Sequence, residues 1–249
     1  MVFHSKKVAY LGSLFLLNQI KHMKLIFAFL LLLSICAGCS NSSLSTREIE
    51  YETTEAYDSL VLYQINGFES NRLGRFGNVG NWNIGLSVNE PGVFRIYQYE
   101  GRERGSVLFM MTDEKWMKIV DTETMRTSQG SYETSRLFQI NALISECDRR
   151  HFNFQRKLVE HATVADSTNY YYQLSEENQI SCTTELKNII REDHTSMASL
   201  YALNYLDPEV NFTLMDSVIC QSTIQYPDLY LRQEIIRNHQ LDTSKLSCP

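Results

Sequence analysis

The chain has 249 residues, of which 23 are Lys or Arg and 29 are Asp or Glu, so its formal net charge is −6. The first 39 residues hold four lysines and no acidic residue, which leaves 19 basic and 29 acidic side chains beyond them, a net charge of −10. This excess of negative charge is a poor match for nucleic acid and for anionic lipid headgroups. The residues after position 39 are enough for one large domain or two small ones.

Residues 23–39 have the features of a secretory signal peptide that ends at a modified cysteine. Lys24 precedes an apolar run over residues 25–33, and small residues at positions 37 and 38 lie directly before Cys39, which is the order that a signal peptidase needs. The run is too short to span a bilayer as a permanent helix. We therefore predict a signal peptide over residues 1–38.

A second apolar patch, residues 8–17, lies ahead of this complete signal, so we predict that translation begins at Met23. The alternative is one long signal peptide or a weak first membrane helix. Polar residues at positions 18, 19 and 21 interrupt the patch and argue against that alternative.

Residues 36–39, Cys-Ala-Gly-Cys, resemble a bacterial lipobox, although Cys36 stands where Leu is usual. The resemblance implies cleavage between Gly38 and Cys39, transfer of diacylglycerol to the Cys39 thiol, and acylation of the new amino terminus. The same residues spell C-x-x-C, a redox motif elsewhere. Here Cys36 leaves with the signal peptide and Cys39 becomes a thioether, so we do not interpret the pair as redox-active.

The segment after Cys39 predicts a tether. Residues 40–54 are rich in Ser, Thr and Glu and have no apolar period, which predicts a flexible tether over residues 39–56. Residues 40–43 contain no acidic cluster of the kind that directs lipoproteins to the cell surface. We therefore expect a lipid-anchored protein of the cell envelope, held at the outer membrane and facing the periplasm.

Residues 57–127 have the pattern of short strands. Runs of β-branched and aromatic residues separated by turn residues predict strands over residues 60–65, 84–88, 93–99, 106–111 and 116–120. The glycine-rich residues 74–80 lack the Gly-Lys-Ser/Thr ending of a phosphate loop and predict a solvated hairpin loop. Five or more strands at short spacing predict an antiparallel β-sandwich.

After residue 128 the apolar period becomes helical. Apolar side chains recur every three or four positions from Leu137 to Leu158, which predicts a helix of about 25 to 30 residues capped by Ser131. Four further helices are predicted: one from about Ser175 to Ile190, one that begins after a cap at Thr195 or Ser196, one around residues 212–219, and one over residues 230–239. Polar residues 166–169 and the Asp-Pro pair at residues 207–208 are predicted to break the helical pattern. The predicted fold class is α+β, with the β-sandwich at residues 57–127 and an α-helical region at residues 128–249.

Four cysteines follow the lipidation site: Cys147, Cys182, Cys220 and Cys248. In an oxidising compartment they can form two disulfides in any of three pairings, between which spacing does not choose. The alternative is that the first three are small buried hydrophobic residues.

No cluster of residues predicts catalysis, and we expect no catalytic residue, metal or cofactor. His151 and His161 are ten residues apart on one predicted helix, roughly 15 Å, which is too far to share a metal ion. The acidic pairs at residues 113–114 and 176–177 fit a turn and a helix start. Tyrosines 170–172, with Tyr97 and Tyr99, could offer an aromatic surface to a glycan or peptide.

Several segments together resemble the DUF4369 type of amino-terminal region, which precedes thioredoxin-like domains in lipoproteins of the Bacteroidetes. They are the lipobox at Cys39 and residues 90–96, 130–134, 195–203 and 226–228, in that order. The family usually continues into a thioredoxin-like domain with a W-C-x-x-C site, whereas this sequence ends at Pro249. The resemblance therefore implies a stand-alone accessory module or a truncated or split gene product, and it implies no redox activity.

Our leading hypothesis is a non-catalytic envelope lipoprotein, an accessory or binding module whose partner is a thioredoxin-like protein, with no nucleic acid involved. A second hypothesis is an outer-membrane lipoprotein that binds glycans or peptides. A third is the front part of a split thiol–disulfide oxidoreductase. A redox function through Cys182 or Cys220 is the enzymatic alternative.

Overall fold

The computed structural model describes residues 46–66, 69–77, 81–87, 91–163, 165–226 and 229–248, which belong to one compact unit. The predicted signal peptide, its cleavage position and Cys39 lie outside the described residues. So do residues 78–80 of the predicted hairpin loop, residue 88 at the end of a predicted strand, and residues 227 and 228 of the last segment in the resemblance. No helix in the described part of the chain is long and apolar enough to cross a membrane.

Eight strands of the described residues form two four-stranded sheets. The strands are β1 (Thr46–Thr53), β2 (Ser59–Asn66), β3 (Glu69–Gly77), β4 (Asn81–Ser87), β5 (Gly92–Glu100), β6 (Arg102–Met111), β7 (Trp116–Asp121) and β8 (Arg126–Gln129). The first sheet has the order β4-β1-β7-β8 and the second the order β3-β2-β5-β6. Neighbouring strands are antiparallel except β1 and β7, which are parallel.

Side chains from both sheets share one buried cluster. In β4, Trp82, Ile84 and Leu86 are buried and alternate with exposed residues, as expected for a strand with one face on a core. Phe94 of β5 stacks on Phe109 of β6, with ring centroids 5.4 Å apart. Both phenylalanines belong to the same cluster as the β4 side chains.

The flexible tether predicted over residues 39–56 is wrong for residues 46–53, which form β1. Ile49 and Tyr51 of β1 are fully buried and alternate with glutamates, and in the parallel register they lie beside Met117 and Ile119 of β7. Only these two large apolar side chains show the alternation of a strand. The surrounding Ser, Thr and Glu residues are typical of a tether, so the alternation was not recognised in the sequence. The β region therefore spans residues 46–129 instead of 57–127.

The hairpin loop predicted over residues 74–80 is also wrong for its first four residues, which lie in β3. Gly74 pairs with Leu62 and Arg75 with Val61 of β2. This strand is mostly exposed, so it lacks the apolar alternation by which a half-buried strand is recognised. β3 is a strand because its backbone pairs with β2 at the edge of the second sheet.

Five helices of the described residues follow the sheets. They are α1 (Tyr132–Glu160), α2 (Ala165–Glu192), α3 (Met197–Ala202), α4 (Pro208–Gln225) and α5 (Tyr230–Asn238), with 3₁₀ turns at Leu203–Tyr205 and Thr243–Lys245. The predicted cap Ser131 is confirmed, since its Oγ accepts from the backbone N–H of Thr134. Ser196 caps α3 in the same way.

The break predicted at residues 166–169 is wrong, because α2 already begins at Ala165 and Asp166 stabilises its first turn.

The start of α1 is fixed to the second sheet by hydrogen bonds at Met110 of β6. The backbone N–H of Met110 donates to Thr134 Oγ1 over 3.0 Å, and its carbonyl accepts from Ser131 Oγ and Thr134 Oγ1. Val93 and Met110 also join a second buried cluster with apolar residues of all five helices. The described chain is therefore a mixed α/β fold in which the helices pack against the second sheet, while α1 also contacts β8 of the first sheet.

Candidate functional site

A cleft of about 340 Å³ lies where the second sheet meets the helices after α2. Its walls carry polar side chains from five separate elements: Gln64 and Asn66 of β2, Arg95 of β5, Tyr201 of α3, Asn204 of the following 3₁₀ turn and Glu234 of α5. Ile65, Val93, Leu108 and Leu231 provide apolar surface in the same cleft. A concave site with an apolar lining and a few polar groups is typical of ligand binding.

Arg95 provides the positive charge of this cleft. Its Nη1 donates to the hydroxyl of Tyr97 over 3.3 Å, and its guanidinium lies 5.8 Å from the centre of the Tyr97 ring. Tyr97 in turn packs edge-on against Tyr63, with ring centroids 5.4 Å apart. The two tyrosines hold the guanidinium in place, so less side-chain entropy is lost when it binds an anionic or carbonyl group.

Tyr201 and Asn204 lie on the helical side of the cleft. The hydroxyl of Tyr201 hydrogen bonds to that of Tyr205 over 3.0 Å, and burial raises the pKa of Tyr201, so the phenol stays protonated at neutral pH. Asn204 donates to the carbonyl of Tyr201 over 3.1 Å. With the charge of Glu234, this wall offers both hydrogen-bond donors and acceptors to a polar ligand.

The structure separates the tyrosines that the sequence proposed as one aromatic surface. Tyr97 lies beside Arg95 near the cleft, whereas Tyr170, Tyr171 and Tyr172 lie on α2. Tyr171 stacks on His161, the residue that ends α1, with ring centroids 5.4 Å apart. Tyr170 and Tyr172 are more than half exposed.

All four cysteines of the described chain are in disulfides. Cys147 of α1 pairs with Cys182 of α2, and Cys220 of α4 pairs with Cys248 in the carboxyl-terminal segment. The structure thus chooses one of the three possible pairings. Asp216 lies close to the Cys220 and Cys248 sulfurs, and its carboxylate accepts from the backbone N–H of Ser247 over 2.8 Å, which holds the last residues against α4.

The two candidate histidines have separate environments. His151 Nδ1 lies 3.2 Å from the Oγ of Ser175 across the α1–α2 pair, while His161 stacks on Tyr171. Each ring is therefore engaged with a neighbouring side chain on α2. The structure does not bring the two histidines into one site.

A buried polar network that the sequence did not reveal joins the two sheets. The hydroxyl of Tyr51 donates to Asp121 Oδ2 over 2.7 Å, and Gln98 Nε2 donates to the same carboxylate oxygen over 2.6 Å and also to the Tyr51 oxygen. Arg126 Nε donates to the other carboxylate oxygen over 2.7 Å. Burial and the Asp121 carboxylate raise the pKa of Tyr51, so this phenol remains a hydrogen-bond donor.

Comparison with known protein families, with curated proteins and with solved structures gave no match to this chain. The resemblance to the DUF4369 type of region therefore stays a prediction from the sequence. The residues that line the cleft were not predicted as a site, because Arg95, Tyr201 and Glu234 come from distant segments of the chain and no short spacing links them. Only the fold brings them together.

Proposed function

We propose that this chain is a lipid-anchored protein of the bacterial cell envelope that serves as an accessory or binding module for a thioredoxin-like partner. The observation that carries this proposal is the pairing of every described cysteine in a disulfide. Disulfides form and persist outside the reducing cytoplasm. The signal-peptide-like residues 23–38 supply the export signal and Cys39 supplies the anchor, and two or more acyl chains hold a protein firmly at a membrane.

The proposal also includes the finer description of the fold. We infer that the two sheets are the layers of a β-sandwich, because Ile49 and Ile84 of the first sheet and Leu62 and Phe94 of the second belong to one buried cluster. The parallel pair β1 and β7 makes the first sheet mixed, so the sandwich differs from the purely antiparallel one expected from the sequence. Such a scaffold places the cleft on rigid elements.

Replacing Cys39 with serine tests the anchor. When the full chain is expressed in a bacterium with labelled palmitate, we expect the wild-type protein to carry the label and to partition into a detergent phase. The Cys39→Ser variant is expected to lose both properties, because a hydroxyl does not form the thioether. Cys248→Ser is the control, and it should keep the label. An unlabelled wild-type protein, or a labelled Cys39→Ser variant, would refute lipidation at this residue.

The cleft favours a second candidate function, the binding of a glycan or peptide by the lipoprotein itself. Oligosaccharide and peptide panels screened against the mature protein would provide a ligand. Arg95→Gln should then weaken binding at least about ten-fold, since a hydrogen bond to a charged group contributes about 1.5 to 3 kcal/mol. Tyr170→Ala is the matched control on the exposed tyrosines of α2. If Tyr170→Ala lost binding and Arg95→Gln kept it, the ligand would bind at the tyrosines of α2 and not in the cleft.

A further inference from the structure

The disulfide between Cys147 and Cys182 lies in the wall of a cavity of about 330 Å³ between α1 and α2. Both cysteines are only half-buried. The cavity is also lined by apolar and polar side chains of the two helices, among them Leu143, Ile144, His151, Asn178 and Leu186. An incoming side chain therefore has space next to this disulfide, which a purely structural crosslink in a packed core would not provide.

A cation lies next to both sulfur atoms. Arg150 Nη2 is 3.8 Å from the Sγ of Cys147 and 3.8 Å from the Sγ of Cys182. The guanidinium also forms an ion pair with Glu146, with Nε 3.5 Å from Oε1. A positive charge at this distance stabilises a thiolate, and thiol–disulfide exchange is faster when the departing sulfur leaves as a stabilised thiolate.

The second disulfide has the opposite electrostatic environment. The Sγ atoms of Cys220 and Cys248 lie within 4.8 Å of a carboxylate oxygen of Asp216. A nearby carboxylate disfavours negative charge on a departing sulfur. The molecule therefore contains one disulfide beside a cation and a cavity, and one beside an anion. The rates at which the two disulfides are reduced can be compared within the same protein.

We propose that Cys147–Cys182 is a thiol–disulfide exchange site for a protein dithiol. A thiolate of the dithiol attacks one of the two sulfurs and forms a mixed disulfide, the Cys147–Cys182 bond breaks, and its electron pair stays on the departing sulfur beside Arg150. The second thiol of the partner then attacks the mixed disulfide. The partner ends as a disulfide, having lost two electrons and two protons, and Cys147 and Cys182 end as thiols.

This inference rests on the proposed function for the class of the partner, since a thioredoxin-like protein supplies such a dithiol. It goes beyond that function by giving the module a reactive centre of its own. Because Arg150 is equally close to both sulfurs, either cysteine can be the one that departs. Asp148, an exposed acid in the cavity wall, is screened by water and salt.

Partial reduction of the full chain, followed by alkylation and mass spectrometry of each cysteine pair, tests the exchange site. With dithiothreitol and, separately, with a reduced thioredoxin, we expect Cys147–Cys182 to open at least about ten times faster than Cys220–Cys248, because stabilisation of the leaving thiolate sets the difference. Arg150→Gln should slow the first reaction several-fold, and Arg150→Lys should retain most of the rate. Arg156→Gln, an exposed position further along α1 that pairs with Glu160, is the control and should leave the rate unchanged.

Equal rates for the two disulfides, or an unchanged rate in Arg150→Gln, would overturn the proposal. Selective reduction by dithiothreitol without reaction with thioredoxin would also overturn it, because the site would then not accept a protein dithiol. None of these three results bears on lipidation, which the palmitate experiment measures separately. A failed palmitate experiment would, in turn, refute the envelope anchor while leaving the measured exchange rates intact.

Discussion

Replacing Asp121 with alanine is expected to lower the free energy of unfolding by about 3 kcal/mol. The substitution removes the shared acceptor of the buried network, so the Tyr51 hydroxyl and one N–H of Gln98 lose their partner. Each buried donor left without an acceptor costs about 1 to 3 kcal/mol. Two such donors would together cost about 2 to 6 kcal/mol. Gln98 still donates to the Tyr51 oxygen, so the expected loss of unfolding free energy lies in the lower half of that range.

This network has a large effect because it connects the two sheets. Asp121 and Tyr51 lie on β7 and β1 of the first sheet, and Gln98 lies on β5 of the second. Arg126, which pairs with Asp121, is half-exposed, so its charge returns to water when the carboxylate is removed. The loss in Asp121→Ala is therefore assigned to the two buried donors and not to the ion pair.

Urea unfolding followed by tryptophan fluorescence would measure this prediction. Trp82 is buried and its ring centroid lies 5.9 Å from that of Tyr51, so its emission reports on this part of the core. Asp113→Ala, in an exposed turn, is the control and should change the unfolding free energy by less than about 0.5 kcal/mol. A loss below about 1 kcal/mol in Asp121→Ala would show that the network contributes little net stability.

The strands rich in β-branched and aromatic residues were predictable from the sequence, and those without such residues were not. β2, β5 and β7 contain enough of these residues to be recognised as strands, and the buried positions of β7 also alternate. In β1 only Ile49 and Tyr51 carry that period, and β3 has almost no buried residue. These two strands exist because neighbouring strands pair with them, and pairing between distant segments leaves no mark in a local pattern.

The starts of α1 and α3 were predictable because capping is local. Ser131 and Ser196 each accept a hydrogen bond from a backbone N–H two or three residues later, which a short motif can encode. The cleft and the disulfide pairing have no local signature. Cys147 meets Cys182 only because α1 and α2 pack side by side, and Arg95 meets the cleft wall of α3 only through the tertiary fold.

Replacing Glu133 is expected to have the second large effect on the free energy of unfolding, because this side chain of α1 is buried and accepts hydrogen bonds from the start of α3. Its Oε2 accepts from Ser196 Oγ over 2.7 Å and from the backbone N–H of Ala198 over 2.9 Å. Glu133→Ala leaves both buried donors without this acceptor and is expected to lower the free energy of unfolding by about 2 to 3 kcal/mol. Glu133→Gln keeps an acceptor oxygen of similar position and should lose less.

The comparison of wild type with Glu133→Gln also predicts a pH dependence. Burial raises the pKa of Glu133, although hydrogen bonds from Ser196 and from the backbone of Ala198 oppose the shift. A carboxyl with a raised pKa binds its proton more tightly in the folded state. Its stabilising contribution is therefore complete below the ordinary pKa of about 4.3 and is lost as the pH rises through the folded-state value.

The unfolding free energy of the wild type relative to Glu133→Gln should therefore fall as the pH rises from about 4 and become constant above the folded-state pKa. Urea titrations of both proteins across this range would measure the difference. Glu177→Gln, an exposed position on α2, is the matched control and should show no such trend. A difference that rises with pH would mean that the hydrogen bonds from Ser196 and Ala198 outweigh burial, so that the folded protein favours the charged carboxylate.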